Sequence, residues 1–193
     1  GLNINTFMDS SNNYKVTVQD DYKRFKMESE GITYQTRIGI GFDVHKFDNG
    51  NNIRLFGVDI PFHKSLRGHS DADVGLHSVT DAIYGSIGSE DIGVHFNPKN
   101  NKWKGTDSKI FLEHSLTKLQ NFGGKILNID IIVICEEPNI NTHRESIKEN
   151  LSALLSIDKS MIGIKATTTE KLGFTGRKEG IAVQTIINIS VKK

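Results

Sequence analysis

Past a polar opening stretch, the apolar residues of this chain fall into two rhythms. Alternation with a period of two marks Ile38–Phe47, Ile53–Ile60 and Ile181–Val191 as strands. Leu127–Cys135 is a nearly unbroken β-branched run and reads as a buried strand, and Met161–Thr169 adds another. Helical spacing joins Val74, Leu76, His77, Val79, Ala82 and Ile83 into a helix ending near Gly85–Gly88. Ile110, Leu112, Leu116 and Leu119 predict a second helix to Asn121, stopped by Gly123-Gly124. Ile147, Leu151 and Leu154 predict a third, ending at Leu155. The candidate N-caps are Ser70 or Asp71, Thr106 or Asp107, and Thr142 respectively. The order β-β-α-α-β-α-β-β predicts an α+β domain: one mixed β-sheet with helices packed on one face.

Between these elements lie loops at Lys64–His69 and Lys171–Gly180 and a polar loop over 89–108. A connection that long inside a compact domain is usually functional or disordered. Gly39 and Gly41 leave one face of the first strand bare, which marks close approach of another backbone or a ligand. Residues 1–36 read as a flexible extension in which VTVQDDYKRFKM forms at most one short strand or helical turn. Residues 37–193 read as a single catalytic domain.

Composition narrows the class. With 193 residues, 36% hydrophobic and 24% charged, the chain suits one globular domain. A net charge of +1 gives no pull toward nucleic acid or membrane, and no apolar run reaches the roughly 18 residues of a bilayer span. One cysteine excludes an internal disulfide and a Cys-based structural zinc site. The first residue is Gly rather than Met, so the natural N-terminus is expected to have been removed. An excess of Asn and Lys suggests an AT-rich source.

Candidate chemistry concentrates in three places. Asp43 and His45, two apart on a strand, share a face, and His77 follows on a helix. Three such ligands leave zinc one open position, the pattern of a catalytic centre. The plain alternative is a surface Asp–His pair with an ordinary helix histidine. His69, Asp71, Asp73 and His77 within nine residues weigh toward a metal. Second, KATTTEKLGFTGR offers the hydroxyls of Thr167, Thr168 and Thr169, loop amides, Lys171 and Arg177 for a phosphate, with Glu170 beside them for Mg²⁺ or Mn²⁺. The alternative is a Thr-rich strand end before a glycine turn. Third, Asp91-Ile92-Gly93 is either an acidic turn that grips a polyol or a loop turn and nothing more.

RIGIGFDVHKF, RGHSDADVGLHSVTDAIYGSIGSEDIG and KATTTEKLGFTGR together resemble the 2-C-methyl-D-erythritol 2,4-cyclodiphosphate synthase family of the non-mevalonate isoprenoid pathway, over residues 37–191. The resemblance implies a lyase. Its substrate is 4-diphosphocytidyl-2-C-methyl-D-erythritol 2-phosphate, whose 2-phosphate attacks the β-phosphorus and releases CMP. It implies Zn²⁺ on Asp43, His45 and His77, and Mg²⁺ or Mn²⁺ on Glu170. It places His69 and Ser70 at the erythritol-phosphate end, Asp91, Ile92 and Gly93 on the erythritol hydroxyls, and Phe96 in a loop over the site. Cys135, Pro138, Asn139 and Ile140 fall in a cytidine pocket. Thr167, Thr168, Thr169 and Glu170 fall on the diphosphate, and Phe174 and Arg177 near substrate or a trimer axis. The chain departs from the family with Asn139 where Lys is usual and with Asn97-Pro98-Lys99 where Pro-Asp is usual. The family implies a homotrimer with sites between subunits, and an isoprenoid diphosphate on its axis in some members. For a eukaryotic AT-rich source it implies a plastid-type organelle, with residues 1–36 a remnant of targeting; otherwise the cytoplasm.

Overall fold

The computed structural model describes residues 15–29, 31 and 33–193. The chain divides into two units: a large one over Gln35–Val191, and a small one that holds the first helix and the last two residues. That first helix, α1 (Gln19–Ser29), replaces the short strand or single turn expected of the extension. Asp21 starts it, accepting from the backbone N–H groups of Thr17 (2.9 Å) and Val18 (3.1 Å). Residues 1–14 of the expected extension lie outside the described residues.

In the large unit the sheet runs β4 (Lys64–Leu66), β1 (Tyr34–Asn49), β7 (Gly180–Lys192), β5 (Gly124–Ile134), β6 (Ile162–Thr167). It is mixed: β5 and β6 are parallel, while β5 with β7 and β1 with β4 are antiparallel. The segment expected as one strand over 53–60 is instead a hairpin outside this sheet, β2 (Asn52–Leu55) and β3 (Val58–Pro61). The turn is Phe56-Gly57, with φ of 54° and 76°, the hand that matches strand twist. A buried Phe at positive φ is strained, and Asp73 holds it there. The Asp73 carboxylate accepts from the N–H of Phe56 (2.8 Å) and Gly57 (2.5 Å). β4 likewise replaces part of the loop expected after Pro61.

Helix α2 (Val74–Ser86) packs on β1 through the two glycines. A Cβ on Gly39 would stand 1.9 Å from the Ala82 carbonyl oxygen, and one on Gly41 1.9 Å from that of Ser78. The bare face therefore admits a helix backbone, as the sequence pattern anticipates. Asp73 caps α2, accepting from Leu76 N (2.9 Å), so neither Ser70 nor Asp71 serves as the expected cap. The expected loop over 89–108 contains α3 (Ile92–His95) and a 3₁₀ turn at Asn101–Trp103.

Helix α4 (Lys109–Asn121) has Ser108 at its boundary, already in helical conformation; the expected Asp107 supplies the cap bond, its Oδ1 accepting from Lys109 N (2.9 Å). The helix buries Phe111, Leu112, Ser115 and Leu119, while the expected core residue Ile110 is exposed. Helix α5 (Arg144–Leu155) begins two residues past the expected Thr142 cap, because Asn139 and residues 140–143 first form a 3₁₀ turn. A last short helix, α6 (Gly173–Gly176), lies in the β6–β7 connection.

Ile129, Ile131 and Val133 of β5 and Ile187 and Ile189 of β7 join Val79, Ile83, Leu112, Ile147 and Leu151 of the helices in one core. On β1 the alternate residues Ile38, Ile40, Phe42 and Val44 are exposed, so within one chain this sheet face is uncovered.

Candidate functional site

The glycines and the site share one face of β1. Gly39, Gly41, Asp43 and His45 are two apart, so the face that admits α2 also presents the acid and the imidazole to it. Ser78, whose carbonyl meets Gly41, follows His77 directly; the close approach thus delivers His77 to the pair. Asp43 Oδ2 lies 3.0 Å from His45 Nε2 and 3.0 Å from His77 Nδ1, and the two ring nitrogens are 3.2 Å apart. These are the donor atoms that could hold a metal ion. Tetrahedral zinc with bonds of about 2.0–2.1 Å separates its ligand atoms by about 3.3 Å, so the spacing suits that ion.

Each ring is held from behind. The Arg67 carbonyl lies 2.8 Å from His45 Nδ1, so Nδ1–H donates there and the Nε2 lone pair faces the cluster. His77 Nε2 is turned toward the hydroxyls of Ser70 (3.1 Å) and Ser108 (2.9 Å). Burial pushes the Asp43 carboxyl up, but the hydrogen bonds and charges of His45 and His77 outweigh it and hold the group at about 2. Burial favours the neutral His45 ring, yet its hydrogen bond to Asp43 and the Asp43 charge prevail and raise its pKa above 6.5. Asp43 thus keeps its negative charge and draws positive charge onto its neighbour, as a cation site requires. One carboxylate and two oriented imidazoles fit zinc.

The cluster sits in the wall of a cavity of about 290 Å³. Arg67, Gly68, His69 and Ser70 form one side, and Ile92, Gly93, Phe96 and Pro98 the other, with Trp103 and Phe111 between. Of the residues singled out in the sequence, His69, Ser70, Ile92, Gly93 and Phe96 thus line the same cavity as Asp43, His45 and His77. Asp91 caps α3: its Oδ1 accepts from Gly93 N (2.8 Å) and Val94 N (3.2 Å). Asp81 fixes the same helix by accepting from Ile92 N (2.8 Å). Phe96 packs on Phe111 (centroids 4.5 Å), Trp103 (4.9 Å) and His114 (5.1 Å). Behind it, Tyr84 Oη lies 2.6 Å from His114 Nδ1.

A second cavity, of about 330 Å³, is lined by Cys135, Pro138, Asn139, Ile140, Thr167 and Thr168, with Glu136 and Asn141. It shares no lining residue with the first. Burial and then the charges of Glu136 and Glu137 push the Cys135 thiol up to about 12, so it is no nucleophile. The loop beside this cavity is tightly built. Glu170 and Lys171 both have positive φ, 52° and 63°. Glu136 Oε1 accepts from the N–H of Thr169 (3.2 Å) and Lys171 (3.4 Å), which flank Glu170. Those amides are therefore already used, and Thr168 Oγ1, which donates to Glu170 Oε1 at 3.2 Å, is left facing out. The Thr169 hydroxyl is spent inside the loop, on the Leu172 carbonyl (2.7 Å) and Thr175 (2.9 Å).

Phe174 borders a third cavity, with Val44, His45 and Lys46. Arg177 is exposed and forked onto Glu179 (2.9 and 3.2 Å), away from both other cavities. Sequence reasoning missed Trp103, Phe111 and Ser108. Only Trp103, the one tryptophan and set in a polar loop, carried a visible signal.

The comparisons agree with this geometry. The bifunctional enzyme IspD/IspF of Gluconobacter oxydans is 45% identical over 185 residues, which span 94% of this chain and 47% of that relative. The chain thus spans about half the length of the curated relatives it matches. The structure of the bifunctional IspDF from Campylobacter jejuni superposes with a TM-score of 0.79 at 39% identity, over 82% of this chain and 43% of that one. A CDP complex of IspF from Plasmodium falciparum gives 0.70 at 39% identity, over 80% and 95%. The relatives from Gluconobacter oxydans and Rhodobacter capsulatus are bacterial and lend no support to the expected plastid-type organelle. The YgbB family profile matches residues 36–190, and the chain belongs to the YgbB family.

Proposed function

We propose that residues 37–193 form a 2-C-methyl-D-erythritol 2,4-cyclodiphosphate synthase domain, cyclising 4-diphosphocytidyl-2-C-methyl-D-erythritol 2-phosphate with release of CMP. The observation that carries this reading is the convergence of Asp43 Oδ2, His45 Nε2 and His77 Nδ1 within 3.2 Å at a cavity. Asp43, His45 and His77 would hold Zn²⁺, and Glu170, with Thr168 beside it, would hold Mg²⁺ or Mn²⁺. When bound, these cations neutralise the phosphates and polarise phosphorus.

The chain's own part is placement. Phosphoryl transfer asks for charge neutralisation and in-line positioning more than for a protein nucleophile. His69 and Ser70 flank the metal cluster and hold the erythritol-phosphate end. Both bonds that Asp91 accepts as a cap fall on Oδ1, so Oδ2 remains for an erythritol hydroxyl. Phe96, Trp103 and Phe111 give the cavity an apolar wall that excludes water from the reacting phosphates. The cavity at Cys135–Asn141 suits the cytidine, and the relative's complex with CDP supports that reading. With the 2-phosphate and the diphosphate held together, attack within one molecule is entropically favoured.

The two cavities share no residue, and the exposed Ile38, Ile40, Phe42 and Val44 need a partner. Both support a homotrimer whose active sites form between copies; native mass spectrometry reporting monomer alone would refute it. Farnesyl diphosphate on the trimer axis is part of the same reading, and calorimetry showing no binding would remove it. Asp43→Asn is the direct test of the centre. It should abolish turnover and zinc binding while the fold survives; near-normal turnover would place the metal elsewhere.

A further inference from the structure

The side chains behind His77 are spent in a way that helix structure does not require. Ser108 stands at the N-terminal boundary of α4, where a serine ordinarily caps the helix. Here it makes no cap hydrogen bond. Its hydroxyl is fully buried, lies 2.9 Å from His77 Nε2, and donates to Asp71 Oδ1 in a very short contact. The backbone N–H of Ser108 donates to the other oxygen of Asp71 at 3.2 Å. Asp71 does not cap α2, a task that falls to Asp73, although its Oδ1 also accepts from Asp73 N (3.2 Å). Beyond Asp71 stands Arg54, whose Nε is 3.7 Å from Asp71 Oδ2 and has no hydrogen-bond partner of its own. Its guanidinium is shared between the charges of Asp71 and Asp107, whose Oδ2 lies 3.7 Å from Arg54 Nη2.

The protons in this chain can run in one direction only. An ionised Asp71 accepts and never donates, so the Ser108 hydroxyl hydrogen must point to it. The Ser108 oxygen then has only lone pairs to offer His77. His77 Nε2 must therefore carry the hydrogen and donate, which leaves Nδ1 as the lone pair facing Asp43 and His45. Ser70 Oγ, 3.1 Å from the same nitrogen, also accepts from Ala72 N (3.2 Å), and its own hydrogen can go to Ser108 Oγ (3.3 Å), whose hydrogen is already turned to Asp71.

We infer that Arg54, Asp71 and Ser108 form a relay that locks His77 as its Nε2–H tautomer, so that Nδ1 is permanently presented as a cation ligand. These are positioning residues, not catalytic ones, and the inference rests on the zinc reading given above. It assigns a task to Ser108 that no sequence motif marks, while Asp107 supplies the cap bond of α4.

The test compares the full chain with Ser108→Ala, Asp71→Asn and Asp43→Asn. Zinc affinity is read by competition with a fluorescent chelator, and the His77 tautomer by long-range ¹H–¹⁵N NMR of the zinc-loaded protein. In the unaltered chain His77 should be protonated at Nε2 and bound through Nδ1. Ser108→Ala should weaken zinc binding by about 10–100-fold, the range for losing a partner behind a ligand histidine. Its metal-free melting temperature should fall by several degrees, because Asp71 loses a buried hydrogen bond, so zinc affinity is read where the variant is folded. Asp71→Asn keeps an oxygen acceptor but loses the charge, so it should weaken zinc less, and it serves if Ser108→Ala fails to fold. Zinc affinity within about twofold of the unaltered chain in both variants would overturn the relay, as would His77 bound through Nε2. Equally weak zinc binding by the unaltered chain and Asp43→Asn would overturn the metal reading, and the relay with it. Tight binding lost in Asp43→Asn but retained in Ser108→Ala would overturn the relay alone.

Discussion

Gly41→Ala separates backbone propensity from packing. In a strand interior, alanine is ordinarily better than glycine by about 0.5–1 kcal/mol, so propensity alone predicts a more stable protein. The structure predicts the reverse. The new Cβ would stand 1.9 Å from the Ser78 carbonyl oxygen and 2.7 Å from Ala82 N, both backbone atoms that cannot rotate away. Restoring an ordinary contact of 3.4 Å requires about 1.5 Å of separation between β1 and α2. Overpacking against backbone belongs at the upper end of its usual range, about 3 kcal/mol. For a chain of this size that lowers the melting temperature by about 6–12 °C. The functional effect is larger than the stability effect, because His77 rides on α2 beside Ser78 while Asp43 and His45 ride on β1. Metal sites tolerate about 0.2 Å in ligand distance, so a shift near 1.5 Å breaks the cluster. Circular dichroism melts and zinc content measured on the same samples give the two readouts. A variant that melts at or above the parent temperature and retains full zinc would refute the reasoning.

Glu136→Ala frees the amides of Thr169 and Lys171 and lets the strained turn around Glu170 relax; at about 1.4 kcal/mol for the lost hydrogen bonds, kcat/KM should fall about tenfold, while Glu136→Gln, which keeps an accepting oxygen, should retain most activity. Equal losses in both variants would contradict the clamp. His114 should make stability sensitive to acid. Burial and then the charges of His95 and Lys118 lower its pKa below 6.5, and the Tyr84 hydroxyl donates to its Nδ1 only while the ring is neutral. The folded state then binds fewer protons than the unfolded one, so this contribution is present above pH 6.5 and is lost as pH falls through the depressed value. The melting temperature of His114→Gln should fall less than that of the unaltered chain between about pH 8 and pH 5, and identical slopes would contradict the assignment.

Much of the fold is written in local pattern. The sheet strands other than β4, the three long helices and the meaning of Gly39 and Gly41 follow from periodicity and from what glycine allows. The hairpin over Asn52–Pro61 does not, because Phe56-Gly57 is a poor turn signal. It is held by the buried carboxylate of Asp73, 16 residues or more further along. The expected cap of α2 failed for a related reason. Ser70 and Asp71 have the right chemistry for a helix start, but tertiary contacts recruit them to His77 and Ser108, and Asp73 serves as the cap. The cluster of Asp43, His45 and His77 was legible because strand spacing fixes two ligands and the third is a histidine of the helix laid on that strand. Ser108 and Phe111 were not, since their roles depend on contacts between segments that local spacing does not reveal.

The most direct measurement is ³¹P NMR of 4-diphosphocytidyl-2-C-methyl-D-erythritol 2-phosphate incubated with the full chain and Mg²⁺, before and after chelator treatment. A new coupled pair of cyclic diphosphate resonances should appear together with CMP, vanish on chelation and return when zinc is restored. Folded, zinc-loaded protein that leaves the spectrum unchanged, or that yields CMP with open phosphates only, would contradict the cyclase.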